Sequence, residues 1–333
     1  MLPEVREYLE DVRSHLHLDS ATERQIISEL HSYFQEKVAE LEDKGVSERD
    51  ATREAIKSFG RPRVLARLMY EAYSKGSRTE AFLSSLPHLI VAGLFMSHLW
   101  RHPILAPIAF ASIVCVTLYG WWHGKPNWLY SWIGYSLLPL LIGGYASRPA
   151  LEQTFSFLLG RSESFPSIWV LLSIVALFSF SLWIIIRTTI RVLKRDWILA
   201  SLMLVPLPIL GSWLFNVEQL GSLFQASRLE LYQWDALMAS VLILLAAASA
   251  IFIRLRKRIL KAGALIILGV IAGTIAGHIL WGDPGFLGLL ASAFLMLLFL
   301  LGPALLEAKI GHGELKGETW WSGEWVQHPS TVK

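Results

Sequence analysis

The stretch that decides the fold is ALMASVLILLAAASAIFI, residues 236–253, which is followed at once by RLRKRILK, residues 254–261. The first segment contains no Asp, Glu, Lys or Arg, and its length is close to the roughly 20 helical residues that cross a bilayer core. A backbone in lipid must satisfy its own hydrogen bonds, which a helix does. The stretch therefore predicts a membrane-spanning helix that ends in a dense cluster of cations.

Apolar runs of the same kind recur on both sides of this segment. The whole chain of 333 residues has 53% hydrophobic and only 17% charged residues, which is unlike an average soluble protein. The first run is the least apolar, because it contains Pro87, His88 and His98. We predict eight spans, at about 83–100, 104–122, 129–146, 168–186, 197–215, 236–253, 262–281 and 285–306.

Lys and Arg are distributed unevenly between the predicted loops. With the N-terminus placed inside, the loops and tail on that side hold 13 basic residues after the front segment, whereas the opposite loops hold four. Cytoplasmic loops are enriched in Lys and Arg. The count predicts that both termini are cytoplasmic. Because the first 80 residues are polar, the first apolar run is expected to be an uncleaved anchor.

Residues 1–73 form a polar front segment with four short stretches of helical apolar spacing. Ser20 and Glu23 stand in capping-box register, Gly45 and Gly60 follow apolar stripes, and Pro62 suits a first helical turn. We predict a compact three- or four-helix domain, because such stripes can be buried only against each other. The fold class is therefore all-α, with a linker at 74–82, a transmembrane bundle at 83–306 and a cytoplasmic tail at 307–333.

The front segment resembles the HAAS-type domain, also called the permease prefix domain. The resemblance covers about residues 3–72 and is carried by YLEDVRSHLHL (8–18) and IISELHSYFQEKVAELEDKGVSERDATREAIKSFGRPRVLARLM (26–69). Two positions depart from the usual pattern, Arg61 between the Gly and the Pro, and His17 after the first helix. The matching positions are Tyr8, Leu9, Glu29, Leu30, His31, Gly45, Ser47, Ala51, Phe59, Gly60, Pro62, Leu65 and Ala66.

This resemblance implies a bacterial inner-membrane protein whose front domain is a cytoplasmic signalling or protein-docking module. Such domains are associated with PadR-like transcriptional regulators or with transporter permeases. We therefore expect a membrane sensor or regulatory partner that does not itself bind nucleic acid. The alternative is a permease or transporter subunit for an apolar or amphipathic substrate, served by an ABC-type ATPase. Exporter-type permeases have a large extracytoplasmic domain, whereas the longest outer loops here, 147–167 and 216–235, hold about twenty residues each.

Span seven contains Gly269, Gly273 and Gly277, four residues apart on one helical face. A stripe of small residues lets another helix approach closely, either within the bundle or in a homodimer. Span five contains Pro206 and Pro208, which are expected to kink the helix. Such a break occurs both in transport sites and in inert bundles.

Four polar residues are predicted near the outer ends of spans one and seven: His98, His102, His278 and Asp283. If the two spans touch, these residues could hold a transition metal or respond together to pH. Because Pro103 is positioned to end the first helix, the alternative is a set of separate interfacial histidines. We predict no metal site.

The basic loops 187–195 and 254–261 have three interpretations: topology alone, attraction of anionic lipid, or contact with an acidic partner. The sequence contains no H-E-x-x-H, G-x-S-x-G or P-loop motif and no paired Asp residues within a span. Its one cysteine, Cys115, excludes an internal disulfide. We therefore expect no catalytic residues, no cofactor and no enzymatic activity.

Overall fold

The computed structural model describes residues 3–18, 20–123, 126–138, 148–161, 167–219, 232, 234–281 and 285–310. Regular structure over these residues is helical, with no strand. The front domain consists of α1 (Pro3–Ser14), α2 (Ser20–Asp43), α3 (Glu48–Phe59) and α4 (Pro62–Tyr73). The bundle consists of α5 (Arg78–Met96), a 3-10 helix (Leu99–Arg101), α6 (Leu105–Trp122), α7 (Leu129–Ser136), α8 (Arg148–Leu158), α9 (Ile168–Leu193), α10 (Trp197–Leu204), α11 (Pro206–Gln219), α12 (Asp235–Arg254), α13 (Arg258–Trp281) and α14 (Gly285–Ile310).

The four front helices share one apolar core, as the helical spacing predicts. Phe34 of α2 lies at its centre, with its ring 5.3 Å from the ring of Tyr8 and 4.2 Å from that of Phe59. The Tyr8 hydroxyl donates a hydrogen bond to the carbonyl of Gly60, at 3.1 Å. Gly60 ends α3 with φ at +80°, a conformation that a residue with a Cβ adopts at a cost. The break between α3 and α4 is therefore tied to α1.

Seven segments of the described chain are long and apolar enough to cross a membrane. They correspond to the runs predicted at 83–100, 104–122, 168–186, 197–215, 236–253, 262–281 and 285–306. The predicted span 129–146 contributes α7, which has eight residues, while 139–147 lie outside the described residues. The count of eight therefore stays a prediction.

The centre of the bundle is α12, which packs along α5 on one side and α13 on another. Helix α13 also contacts α11 and α14, while α7 joins α6, α10 and α5. The apolar core formed by these helices is separate from the core of the front domain. Helix α9 is peripheral, and most of its side chains are exposed.

The structure differs from the predicted boundaries in three places. Helix α5 begins at Arg78, inside the predicted linker, because Ser77 and Glu80 form a complete capping box. Helix α8 occupies much of the predicted loop 147–167. Helix α14 runs to Ile310, so the predicted tail begins as helix, and 311–333 lie outside the described residues.

The structure interrupts the helix of span five at the position where Pro206 and Pro208 predict a kink. The segment divides at Val205 into α10 and α11, since Pro206 and Pro208 have no backbone N–H to continue the helical ladder.

Candidate functional site

The candidate site is the interface between the front domain and the bundle, here called the domain interface. It is formed where the two basic loops meet the front helices and the segment 74–77 that follows them. Its residues on the front side are His17, Leu18, Tyr70, Ser74 and Gly76, and those on the bundle side are Tyr130, Arg195, Asp196, Ile253, Arg254, Arg256, Arg258 and Lys261.

Residues 74–76 lie directly against the C-terminal end of α12. The Gly76 N–H donates to the carbonyl of Ile253 at 3.0 Å, and Arg254 Nη1 donates to the carbonyl of Gly76 at 3.0 Å. The Ser74 hydroxyl donates to the carbonyl of Arg256 at 2.7 Å. A Cβ on Gly76 would overlap the side chain of Ile253, so this approach requires glycine. The segment is therefore a hydrogen-bonded joint.

Lys261 holds the end of α4. Its side chain is only 2% exposed, and Nζ donates to the carbonyl of Ser74 at 3.0 Å. The ammonium also lies 5.2 Å from the ring centre of Tyr70 and 5.3 Å from that of Phe252. A cation is favourable at a helix C-terminus, where carbonyls point outward, and over an aromatic face. Burial raises the pKa of Tyr70, and the nearby Asp196 carboxylate raises it further by a smaller amount, so this tyrosine remains neutral.

Arg195 binds the other end of the front domain. Its Nη2 donates to the carbonyl of Leu18 at 2.9 Å, and its Nη1 donates to the hydroxyl of Tyr130 at 2.6 Å. The imidazole Nδ1 of His17 lies 3.2 Å from the carbonyl oxygen of Arg195. The turn between α1 and α2 is thus attached to the loop between α9 and α10.

Asp196 connects the two basic loops to each other. Its Oδ1 accepts from the Ile198 N–H at 3.0 Å, which caps α10, and from Arg258 Nη2 at 2.9 Å. Asp196 is almost completely buried, and a buried carboxylate is tolerated when it is paired and hydrogen-bonded. The loops that contact the front domain therefore form one connected unit.

A buried polar cluster lies within the bundle and links α5, α7 and α12. His88 is fully buried, with Nδ1 2.7 Å from the Tyr135 hydroxyl and Nε2 2.7 Å from the Ser249 hydroxyl. The hydroxyls of Ser84 and Ser131 lie 2.8 Å apart in the same region. In the sequence His88 only weakens the first span, and this cluster has no sequence signal because none of its partners is near it in the chain.

The predicted outer histidines each contact different partners. Helix α5 ends at Met96, so His98 and His102 flank the 3-10 helix and do not lie on one turn of an α-helix. The His102 ring accepts from the backbone N–H groups of Ile104 and Leu105, whereas the His278 ring packs edge-on against Trp234. Asp283 lies outside the described residues.

His98 has a different partner, Asp235, which the sequence analysis did not single out. The Asp235 Oδ2 lies 2.6 Å from His98 Nδ1 and accepts from the Trp100 indole N–H at 2.9 Å. The available signal was the position of Asp235 as an acidic residue at the start of an apolar run. Across the described part of the chain, no group of three or more His, Cys, Asp or Glu residues converges on a point that could hold a metal ion.

The glycine stripe faces α14. A Cβ on Gly269, Gly273 or Gly277 would overlap Leu300, Met296 or Ser292, respectively. The glycine stripe was predicted to allow close approach of a helix either within the bundle or in a homodimer, and in the structure it packs within the bundle. A homodimer stays a prediction and would need another surface.

Most residues of the front-domain motif take part in the domain's own fold. Ser47 caps α3 by accepting from the Asp50 N–H, Ala51 is fully buried, and Pro62 is in the first turn of α4. Glu29 is exposed on α2 and accepts from the Gln25 side chain, Gly45 has a φ of +85°, and Phe59 packs on Phe34 as described above. His31 is partly buried on α2, and this burial lowers its pKa.

Comparison with known proteins identifies the front domain. Residues 7–67 match the family model of the HAAS domain, as the sequence resemblance predicts. No curated protein and no solved structure matches the chain. The match covers α2, α3, most of α1 and the first half of α4, and it does not extend to the bundle. The chain therefore carries a HAAS domain at its N-terminus, followed by several helices that are apolar and long enough to cross a membrane.

Proposed function

We propose that this protein is a bacterial inner-membrane sensor or regulatory partner, in which the bundle positions the HAAS domain to dock a cytoplasmic protein. The observation that carries the proposal is the domain interface. Three backbone carbonyls of the front part, those of Leu18, Ser74 and Gly76, accept hydrogen bonds from cationic side chains of the bundle. A front domain that served as a loosely tethered appendage would not require these contacts.

The interface provides a physical route for coupling. Arg195 precedes α10, Arg254 ends α12, and Lys261 lies in the first turns of α13. A change in the packing of any of these helices would move a cation that holds the front domain. Coupling between sites requires a connected set of contacts with two arrangements, and the domain interface supplies the contacts.

The exposed face of α4 is the surface proposed for docking. Val64 and Leu68 lie one turn apart and are 47% and 54% exposed, with Arg63 and Arg67 beside them. Apolar contacts ringed by cations suit a partner with an apolar centre and an acidic rim. A regulator of the PadR-like class is the partner that the family resemblance favours.

The test is affinity purification of the full-length protein from crosslinked membranes. We expect a cytoplasmic regulator to copurify with the parent and to be lost from the Val64→Ser/Leu68→Ser variant. Tyr33→Ser is the matched control, because Tyr33 is 60% exposed on another helix of the same domain. Equal recovery of the regulator with all three proteins would contradict the proposed docking surface.

The alternative, a permease or transporter subunit, is favoured by one observation, the buried cluster around His88. Polar side chains inside a membrane-spanning bundle commonly mark substrate or ion pathways. The same purification separates the two functions, because a copurifying ATPase would favour transport. Substitution of His88 by Phe should abolish transport of the substrate if that function is correct, whereas the sensor proposal predicts that the regulator still copurifies.

A further inference from the structure

We propose that the end of α9 nearest the domain interface binds the headgroup of an anionic phospholipid. The site is a surface groove of about 470 Å³ lined by Trp183, Ile186, Arg187, Ile190, Arg191 and Lys194. This site is outside the HAAS domain and outside the proposed docking surface on α4. The proposal is therefore independent of the proposed function.

The cationic part of the groove comes from residues 187, 191 and 194, which follow one face of the helix. All three side chains are exposed, and within the described ranges no carboxylate forms an ion pair with any of them. The Arg187 guanidinium lies 4.9 Å from the ring centre of Trp183, and that of Arg191 lies 5.5 Å from the ring centre of Trp121. The aromatic rings orient the two guanidinium groups while leaving their N–H donors available for phosphate oxygens.

The apolar part of the groove explains why the ligand is a lipid. Trp183 is 52% exposed, Ile186 48% and Ile190 38%, directly beside the cations. A free phosphate ion would use the guanidinium groups and gain nothing from these side chains. A phospholipid presents both a phosphate and acyl chains, so it covers the cations and the apolar surface together.

The position of the groove along α9 agrees with this ligand. Lys194 is followed directly by Arg195 and Asp196, so the groove lies at the end of the bundle that bears the front domain. The apolar remainder of α9, from Ile168 to Leu182, extends away from it and leaves most of its side chains uncovered. A lipid with its headgroup at the cations would therefore lay its chains along an exposed apolar helix.

The test measures lipid binding to the purified full-length protein by native mass spectrometry. The probes are phosphatidylglycerol and phosphatidylcholine of identical acyl chains. We expect phosphatidylglycerol to be retained preferentially and its affinity to fall about tenfold or more in Arg187→Gln/Arg191→Gln, since this variant removes two of the three cations that attract the phosphate. The Arg187→Lys/Arg191→Lys variant keeps both charges and should retain most of the preference.

The matched control is Arg256→Gln/Lys257→Gln, which removes two exposed cations at the same end of the bundle. An equal loss of phosphatidylglycerol in this control would overturn the proposal, because it would show general charge attraction. Complete displacement of the lipid by glycerol phosphate at the same concentration would also overturn it, because the site would then bind a free anion. A parent without preference for phosphatidylglycerol would overturn it as well.

Discussion

Gly76 shows how a single residue sets the contact between two domains. Its N–H and its carbonyl both bond to α12, which requires the two backbones to lie closer than a side chain would allow. Lys261 and Arg195 likewise donate hydrogen bonds from their charged side chains to backbone carbonyls of the front domain. The Lys and Arg residues of the loops, whose distribution predicts the orientation in the membrane, therefore also hold the front domain against the bundle.

Replacing Gly76 with Ala should weaken the domain interface. The new methyl group would overlap Ile253, and such overpacking typically costs roughly 1–3 kcal/mol. We expect a lower free energy of unfolding and faster proteolysis between residues 74 and 77 in the full-length protein. Gly93→Ala is the control, because a Cβ there meets no atom within 4 Å and alanine suits a helix. Equal proteolysis rates in the two variants would contradict the expectation.

His31 should make the front domain sensitive to acid. Burial lowers the pKa of His31 in the folded domain below its usual value of 6.5. The neutral form is therefore favoured by folding, so the stabilisation is present above pH 6.5 and is lost as the pH falls through the folded-state pKa. We expect protection of α2 amides from hydrogen exchange, corrected for intrinsic rates, to fall between pH 7.5 and 5.

The matching variant is His31→Gln, which keeps a polar side chain of similar size and does not titrate. Its protection should depend less on pH over the same interval. A slope identical to that of the parent would show that another group is responsible.

At the scale of the elements, α5 tolerates a proline in its interior because another helix compensates for it. Pro87 lacks an N–H, which leaves the carbonyl four residues earlier, that of Leu83, without its helical donor. The indole N–H of Trp132 on α7 donates to this carbonyl at 2.8 Å. The proline that weakens the first span in the sequence thus becomes a point of attachment between α5 and α7.

This arrangement predicts a non-additive double-mutant cycle. Trp132→Phe leaves the Leu83 carbonyl unpaired and should cost roughly 1–3 kcal/mol of unfolding free energy in detergent. In the Pro87→Ala background the alanine N–H can donate to Leu83, so the same change should cost about 1 kcal/mol less. If the two changes are additive, the hydrogen bond does not compensate for the proline.

At the scale of the whole molecule, the arrangement of charges predicts the orientation in the membrane. Lys257 lies in the loop after α12, and Arg161 lies between α8 and α9, in a predicted outer loop. We expect a cysteine at 161 to react with a membrane-impermeant maleimide in spheroplasts, and a cysteine at 257 to react only after permeabilisation. Both are made in a Cys115→Ser background, since Cys115 is the single native cysteine.

Labelling of residue 257 in intact spheroplasts would overturn the orientation and, with it, the proposed access of the front domain to a cytoplasmic partner.

The sequence by itself determined the HAAS front, seven helices that are long and apolar enough to cross a membrane, the interruption before Pro206, and the front helices with their boundaries at Gly45, Gly60 and Pro62. These features depend on local properties, since hydropathy, capping and helical spacing act over one or a few turns. Only the tertiary structure decided which groups meet across the chain. Arg195 and Leu18 are 177 residues apart, and Lys261 and Ser74 are 187 apart. The local sequence around a cation predicts that its charge will stay out of the lipid. It does not predict which carbonyl will accept its hydrogen bond, because any carbonyl that helix packing brings within reach can do so.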